Sequence, residues 1–416
     1  MPSQHLYSRF AAPALAEALE DSPVVLIHGP RQCGKSTLAT MLGEKLGYDY
    51  ISFDDDMVRA TAEADPIGFV EALPQRIILD EIQRMPGLFT SIKAAVDKNR
   101  TPGRFLLTGS SNILLLPNLS DSLAGRMAIQ RLHPMAQCEL EGKPSAFLNR
   151  LFTADFPFRQ VPRLKEDLLR RITAGGYPPA LERAEGRRLA NWYRDYINTL
   201  IQRDVRQIAR INSLDALPRL LKLAASHTAQ LFNLSDLASS FQLSRPTIGD
   251  YVTLLENIFL LERLPPWHSN QASRMVKAHK LHLGDTGLAC GLLGLDAAAL
   301  AAERTQLGHM LETFVYQELR RQASWHPAHH DFYHFRDRDM AEVDIVIERG
   351  IQQLAGVEVK AGATVTAADF RGLRKLQQTA GKRFVAGVVL YDGDTTASFG
   401  DGLFAVPMST LWAGES

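Results

Sequence analysis

Cysteine is scarce in this chain: three residues in 416, Cys33, Cys138 and Cys290, set far apart and forming no CxxC pair. That spacing excludes a disulfide framework and a structural zinc site, and it fits a reducing compartment. Long apolar runs are missing as well, so no segment reads as a membrane span and no membrane partner is expected. The N-terminus carries Arg9 and then an alanine-rich helix with Glu17, Glu20 and Asp21. It lacks the apolar centre and cleavage pattern of a signal peptide, and the cytoplasm is the expected location. An excess of charge is also absent. Lysine plus arginine and aspartate plus glutamate number 46 each, so no global field draws the chain to nucleic acid or anionic lipid, and any basic surface has to be local. There is no internal repeat and no low-complexity tract.

What is there is a packed chain of several domains. Its length exceeds what one hydrophobic core serves, and 45% apolar with 22% charged residues is ordinary for globular proteins. Residues 20–135 alternate short apolar strands with helical stretches, the pattern of a parallel sheet covered on both faces. Val24 to Ile27, Ile77 to Leu79 and Phe105 to Thr108 read as buried strands, and each runs into residues with chemistry, where open α/β sheets place their ligands. Residues 140–225 turn to helical periodicity, with Trp192, Tyr193, Arg194 and Tyr196 interleaved. Between Asn233 and Glu256 two amphipathic patterns flank Gln242-Leu243-Ser244, a helix-turn-helix with Ser235 and Ser244 at the N-cap positions. A stretch after Pro265-Pro266 reads as a connector, and the last hundred or so residues as a separate α/β unit.

Gly29-Pro30-Arg31-Gln32-Cys33-Gly34-Lys35-Ser36 matches GxxxxGK[ST], directly after a buried strand and before an amphipathic helix. Glycines let backbone N–H groups close around phosphate oxygens and the helix N-terminus adds its dipole. Lys35 then reaches the terminal phosphates, and the Ser36 hydroxyl ligates Mg2+. With Thr37 these nine residues form the expected ATP site. Asp80 ends the next strand, where a carboxylate holds Mg2+, and Glu81 beside it polarises the attacking water, so hydrolysis is expected. Ser110, in Thr108-Gly109-Ser110-Ser111, is either a γ-phosphate sensor or a helix cap. Arg126 is either an arginine finger, working within its own subunit or across an interface of a homo-oligomer, or an exposed arginine paired with a carboxylate. Asp54, Asp55 and Asp56 read as a helix-cap cluster.

Taken with Leu79-Asp80-Glu81-Ile82-Gln83, Ser122-Leu123-Ala124-Gly125-Arg126, Gly175-Gly176-Tyr177-Pro178 and Asp285-Thr286-Gly287-Leu288-Ala289, these stretches resemble a bacterial and archaeal family of AAA-type P-loop ATPases fused to a C-terminal domain of unknown function. The resemblance implies an α/β multidomain chain. Residues 1–140 would be an AAA-like parallel-sheet ATPase domain, 141–225 a helical domain, 226–265 a winged helix and 266–300 a connector. Residues 301–416 would be an α/β domain similar to restriction-endonuclease-like folds.

In that last domain Asp344 lies on the first strand of a hairpin and Glu358-Val359-Lys360 on the second, and period-two alternation sends Glu358 and Lys360 to one face. Asp344 and Glu358 could hold Mg2+ against a scissile phosphate while Lys360 orients water, with Glu312 of the preceding helix as a further carboxylate. The set resembles the D…ExK centre of PD-(D/E)xK nucleases; its plain alternative is a cross-strand ion pair on a solvated face. DNA or RNA and a protein partner are the partner classes left open. Arg245, Thr247 and Asp250 on the second helix of the helix-turn-helix, and the basic Arg203, Arg206 and Arg210, are the candidate contacts. His326, His329, His330 and His334 fit no zinc spacing.

Overall fold

A computed structural model describes residues 6–110, 123–202, 216–269, 278–337 and 339–414. Arg203, Arg206, Arg210, Ser111 and Ser122 lie outside the described residues. The chain divides into two compact units, Met1–Met135 with Asn257–Phe259, and Ala136–Glu256 with Leu260–Ser416. Among the described residues no helix is long and apolar enough to cross a membrane.

The first unit is a parallel five-stranded sheet in the order β2-β3-β4-β1-β5. Its strands are β1 (Val24–His28), β2 (Asp49–Ser52), β3 (Ile77–Asp80), β4 (Phe105–Gly109) and β5 (Met127–Arg131). Every residue of β1, β3 and β4 is buried, as expected of strands covered on both faces and built from unbroken apolar runs. Leu26, Leu79 and Leu107 pack with Phe89 and Ile92 of the helix Leu88–Lys98. β1 leads into the helix Lys35–Leu46. Asp55 caps the helix Asp56–Ala64 by accepting from the Met57 and Val58 N–H groups.

The second unit holds two further sheets. β7 (Gln230–Leu231), β8 (Leu261–Leu264) and β9 (Lys280–Leu283) form an antiparallel sheet in the order β7-β9-β8, and between β7 and β8 come the helices Leu234–Phe241 and Arg245–Asn257. The caps of these helices differ in part from the sequence expectation. Asn233, and not Ser235, caps the first, because its Oδ1 accepts the Ser235 N–H (3.0 Å); Ser244 Oγ does accept the Thr247 N–H of the second (3.2 Å). The aromatic residues of the helix Arg187–Leu200 are packing elements: Trp192 stacks on Tyr196, and Tyr177 lies against both.

The larger sheet runs β10-β11-β12-β13-β15-β14-β6. Its members are β6 (Arg159–Gln160), β10 (His330–Arg336), β11 (Glu342–Arg349), β12 (Gln353–Lys360), β13 (Phe384–Tyr391), β14 (Thr395–Ser398) and β15 (Leu403–Pro407). The β11–β12 hairpin is antiparallel, with Ile345 opposite Val357, and β12, β13 and β15 are parallel. Val343, Val346 and Leu354 meet Leu373 and Leu376 of the amphipathic helix Arg371–Ala380. The long helix Arg304–Ala323 carries Glu312.

Within the stretch read as a connector, β9 (Lys280–Leu283) and the first five residues of the helix Thr286–Leu293 are buried. Asp285 caps the helix Thr286–Leu293, and its carboxylate accepts from the N–H groups of Leu288 (3.1 Å) and Gly176 (2.8 Å), from Arg321 Nη2 (2.9 Å) and from the Tyr193 hydroxyl (3.3 Å). A Cβ on Gly175 would lie 2.2 Å from Asp285 Oδ1, and one on Gly287 2.3 Å from the Tyr193 hydroxyl. The Gly175-Gly176 and Asp285-Thr286-Gly287 stretches are therefore two halves of one close-packed joint.

Candidate functional site

Two sets of side chains carry chemistry, one in each unit. In the first, the loop from Gly29 to Gly34 joins β1 to the helix Lys35–Leu46. A Cβ on Gly29 would lie 2.1 Å from the Leu132 carbonyl oxygen, so only glycine fits, and Gly34 takes the left-handed conformation (φ +98°) as the helix N-cap. Gln32 also has a positive φ, +60°. Consecutive backbone N–H groups at a helix N-terminus make a concave anion site. Lys35 is buried and its Nζ donates to the Pro30 carbonyl at 2.8 Å; Thr37 is exposed on the helix.

Asp80 follows from the end of β3. Ser36 Oγ donates to its Oδ1 at 2.7 Å, the Thr108 hydroxyl donates to the same oxygen, and the Tyr50 hydroxyl donates to Oδ2 at 2.9 Å. Burial first, and the Asp80 charge second, push the Tyr50 phenol up to about 12, so it stays a donor. Glu81 sits in the left-handed region (φ +58°), unusual for a residue with a side chain. Its carboxylate accepts from Gln83 Nε2 and from Ser110 Oγ (3.1 Å), and Gln83 also donates to Ser110 Oγ (2.9 Å). Lys35, Ser36, Asp80, Glu81 and Ser110 are thus brought together at the carboxyl ends of β1, β3 and β4.

Arg126 is not. It precedes β5, whose Met127 pairs with Val24 at the start of β1, and the Val24 N–H donates to the Arg126 carbonyl. That is the opposite edge of the sheet, a strand length of about 16 Å from the loop after His28. The Arg126 side chain pairs with Asp97 (Nε–Oδ1 2.6 Å) and donates to the Ala124 carbonyl.

Four participants were not read from the sequence. Buried Arg9 donates to the carbonyls of Cys33 and His133, both at 2.7 Å, and so ties the loop to the chain after β5. Thr108 and Gln83 each stand two or three residues from a recognised group, which is the only signal they gave, and Tyr50 comes from β2.

In the second unit, β11 and β12 bring Asp344 alongside Glu358 and Lys360, and the long helix adds Glu312. Lys360 Nζ donates to Glu358 Oε1 at 2.8 Å, and the Val359 N–H to Asp344 Oδ2 at 2.9 Å. Between these groups stands Lys280, the first residue of β9. Its Nζ lies 2.8 Å from Glu312, 2.7 Å from Glu342 and 3.3 Å from Asp344, with 3% of the side chain exposed. Burial alone would lower the ammonium, but Glu312, Asp344 and Glu342 together hold it above the ordinary lysine range. Burial, and then the Asp344 charge, push Glu358 up to about 8. Glu358 Oε2 is buried without a hydrogen-bond partner. A cleft of about 720 Å3 borders Lys280, Glu312, Asp344, Glu358 and His309.

The histidines form no common group of four, although the rings of His326 and His330 meet edge to face with centroids 4.6 Å apart. His326 Nε2 meets Asn149, His330 packs on Phe152 and is lowered to about 4, mainly by burial, and His334 Nε2 faces the Ala278 carbonyl. Among the described residues no group of three or more His, Cys, Asp or Glu side chains could hold a metal ion.

With this geometry in view, relatives add to it. An uncharacterized protein of Mycobacterium tuberculosis is 30% identical over 404 residues, 97% of this chain and 84% of that protein, and an uncharacterized protein of Mycobacterium bovis matches to the same extent. The chain belongs to the family of these mycobacterial proteins. Within the family fold, an AAA domain spans residues 21–141, a domain of unknown function (DUF8612) residues 165–299 and another (DUF4143) residues 307–411. The first unit therefore carries an AAA-type P-loop ATPase domain. Among solved structures, a Walker-type ATPase of Pyrococcus abyssi is 15% identical (TM-score 0.40; 70% of this chain, 97% of that one). The RuvB Holliday junction branch migration motor of Thermotoga maritima is 19% identical (TM-score 0.29; 61% and 89%). At such scores neither carries an argument, and the site rests on its own geometry and on the AAA match.

Proposed function

We propose that this protein is an ATP-binding and ATP-hydrolysing switch, in which the nucleotide state of the AAA-type domain controls a nuclease-like terminal domain that docks to a partner, nucleic acid or protein. The observation that carries the reading is the convergence of Ser36, Asp80, Glu81 and Ser110 beside the Gly29–Ser36 loop. The donor set fits a hard cation: a serine hydroxyl and a buried carboxylate face each other at 2.7 Å. Ser36 and Asp80 would hold Mg2+, which neutralises phosphate charge. Backbone N–H groups from Arg31 through Thr37, with Lys35, bind the phosphates, while Gly29 and Pro30 shape the loop. Glu81 takes up the proton of the attacking water, Gln83 and Ser110 aim its carboxylate, and Ser110 senses the γ-phosphate. Arg126, placed away from its own loop, serves a nucleotide only across an interface between subunits.

For the middle segment, the order β7, two helices, β8, β9 supports a winged helix, with Ser244, Arg245 and Thr247 opening its second helix. A second reading, phosphodiester cleavage, is favoured by the meeting of Glu312, Asp344, Glu358 and Lys360 in one cleft. Magnesium-dependent cleavage of labelled single- and double-stranded DNA and RNA, with and without ATP, decides between them. ATP hydrolysis lost in Lys35→Ala with no strand cut by the intact chain supports the switch. Cutting that disappears in Asp344→Ala establishes the nuclease.

A further inference from the structure

The carboxylate cleft of the terminal domain already contains a cation. We infer that Lys280 is the resident counter-ion of this centre and closes it to divalent metal. An ammonium has three N–H donors and no acceptor. Here three carboxylates, Glu312, Glu342 and Asp344, stand within 3.3 Å of it, one for each proton. Asp344 is engaged through both oxygens, since Oδ2 accepts the Val359 N–H. Glu358 is paired with Lys360 through Oε1. Glu312 and Glu342 each meet Lys280 through Oε1 and keep a second oxygen, and Glu358 Oε2 is the carboxylate oxygen of this cleft that is buried without a partner. Mg2+ and Ca2+ need about six or more oxygens at roughly 2.0–2.6 Å, and carboxylates already gathered on a fixed ammonium do not meet that need.

The lysine is also held. β9 is the central strand of its sheet, with Lys280 in register with Leu231 of β7 and Leu264 of β8. The same sheet is tied to the long helix that carries Glu312: Gln317 Nε2 donates to the Leu283 carbonyl at 2.8 Å, and the Thr313 hydroxyl meets those of Thr228 and the His282 ring. The backbone of Lys280 is therefore fixed by strand pairing on both sides, and its ammonium is held by the three carboxylates. A domain so filled offers carboxylates and Lys360 to a partner without the metal that cleavage of this type employs. This inference rests on reading the cleft as the working centre of the terminal domain.

The test is isothermal titration of Mn2+ into the full chain without nucleotide, with Asp80→Asn in every variant to silence the P-loop. The Asp80→Asn chain is expected to take up no Mn2+ below millimolar concentration. Adding Lys280→Met should tighten Mn2+ binding by on the order of a hundredfold, through loss of the charge and release of three carboxylates. Adding Asp344→Asn as well should abolish the gain. Mn2+ bound by the Asp80→Asn chain and lost with Asp344→Asn overturns the inference, as does a folded Lys280→Met variant, checked by circular dichroism, that gains no site. Should Lys280→Met fail to fold, the comparison of Asp80→Asn with and without Asp344→Asn decides on its own. ATP hydrolysis and strand cleavage are separate readouts, so failure of the proposed function leaves this titration unaffected and the reverse.

Discussion

The two centres handle charge by opposite means. At the nucleotide site the cationic elements, the backbone N–H groups of the loop and Lys35, come from one continuous stretch and are laid out for a polyanion from outside. In the terminal cleft four carboxylates from β11, β12 and the long helix meet Lys280 from β9 and Lys360 from their own hairpin, so the countercharge is internal. The difference teaches that a cluster of catalytic residue types is not by itself a catalytic site: what matters is whether its charge is still waiting for a ligand.

The strongest way to sharpen that contrast is Glu81→Gln. It removes the carboxylate proposed to take up the water's proton and leaves the loop intact, so kcat for phosphate release should fall by about 10²–10⁴ with nucleotide affinity retained. A variant with unchanged kcat would remove Glu81 from the hydrolytic step. Next comes Asp285→Ala at the buried joint, where a fully bonded charge is structural. It removes the Arg321–Asp285 ion pair and leaves the Gly176 N–H without its carboxylate acceptor, at a cost of about 3–5 kcal/mol in denaturant unfolding. A loss under about 1 kcal/mol would mean that the joint is not held by this ion pair.

A smaller effect probes the terminal cleft by pH. Glu358 is held at about 8 in the folded chain against 4.5 for an ordinary glutamate, so the folded state keeps a proton that the unfolded chain releases. Its stabilising contribution is complete below about 4.5 and is lost as pH rises towards and through 8. The thermal midpoint of the wild type should therefore fall from pH 5 to pH 8 more steeply than that of Glu358→Gln. Parallel profiles would show that Glu358 ionises normally.

How much of this was legible depended on whether the determinant was local. The P-loop, the acidic pair and the three buried strands could be read because neighbouring residues specify them: β-branched runs give strands, and a loop closing on phosphate needs its glycines in sequence. The carboxylates of the hairpin were legible because period-two alternation fixes a face. Lys280 was not, since nothing in Lys280-Leu281-His282-Leu283 says that the strand ends beside Glu312, a contact made only by tertiary packing. The same holds for Arg9, which reaches Cys33 and His133 across a long stretch of chain, and for the joint at Asp285, whose glycines were visible as motifs without their partner. Arg126 was misleading in the opposite way, because Gly125-Arg126 lies next to the ATP motifs in the chain and yet opens β5 at the far edge of the sheet.

The smallest effect concerns that arginine. Its bond to Asp97 is a partly exposed pair, with 23% and 38% of the two side chains accessible, so Arg126→Ala should cost no more than about 1 kcal/mol in unfolding. Because Arg126 precedes β5 at the end away from its own loop, about a strand length off along the backbone, hydrolysis per chain should be unchanged in dilute solution. If Arg126 serves a neighbouring subunit, the wild-type rate per chain will climb as protein concentration is raised and the variant's will stay flat. A rate that drops at every concentration would instead require Arg126 to reach its own nucleotide, which demands a rearrangement of the start of β5. Equal behaviour of the two chains throughout would leave Arg126 as a surface ion pair, and the nucleotide site would then be complete with Lys35, Ser36, Asp80 and Glu81 alone.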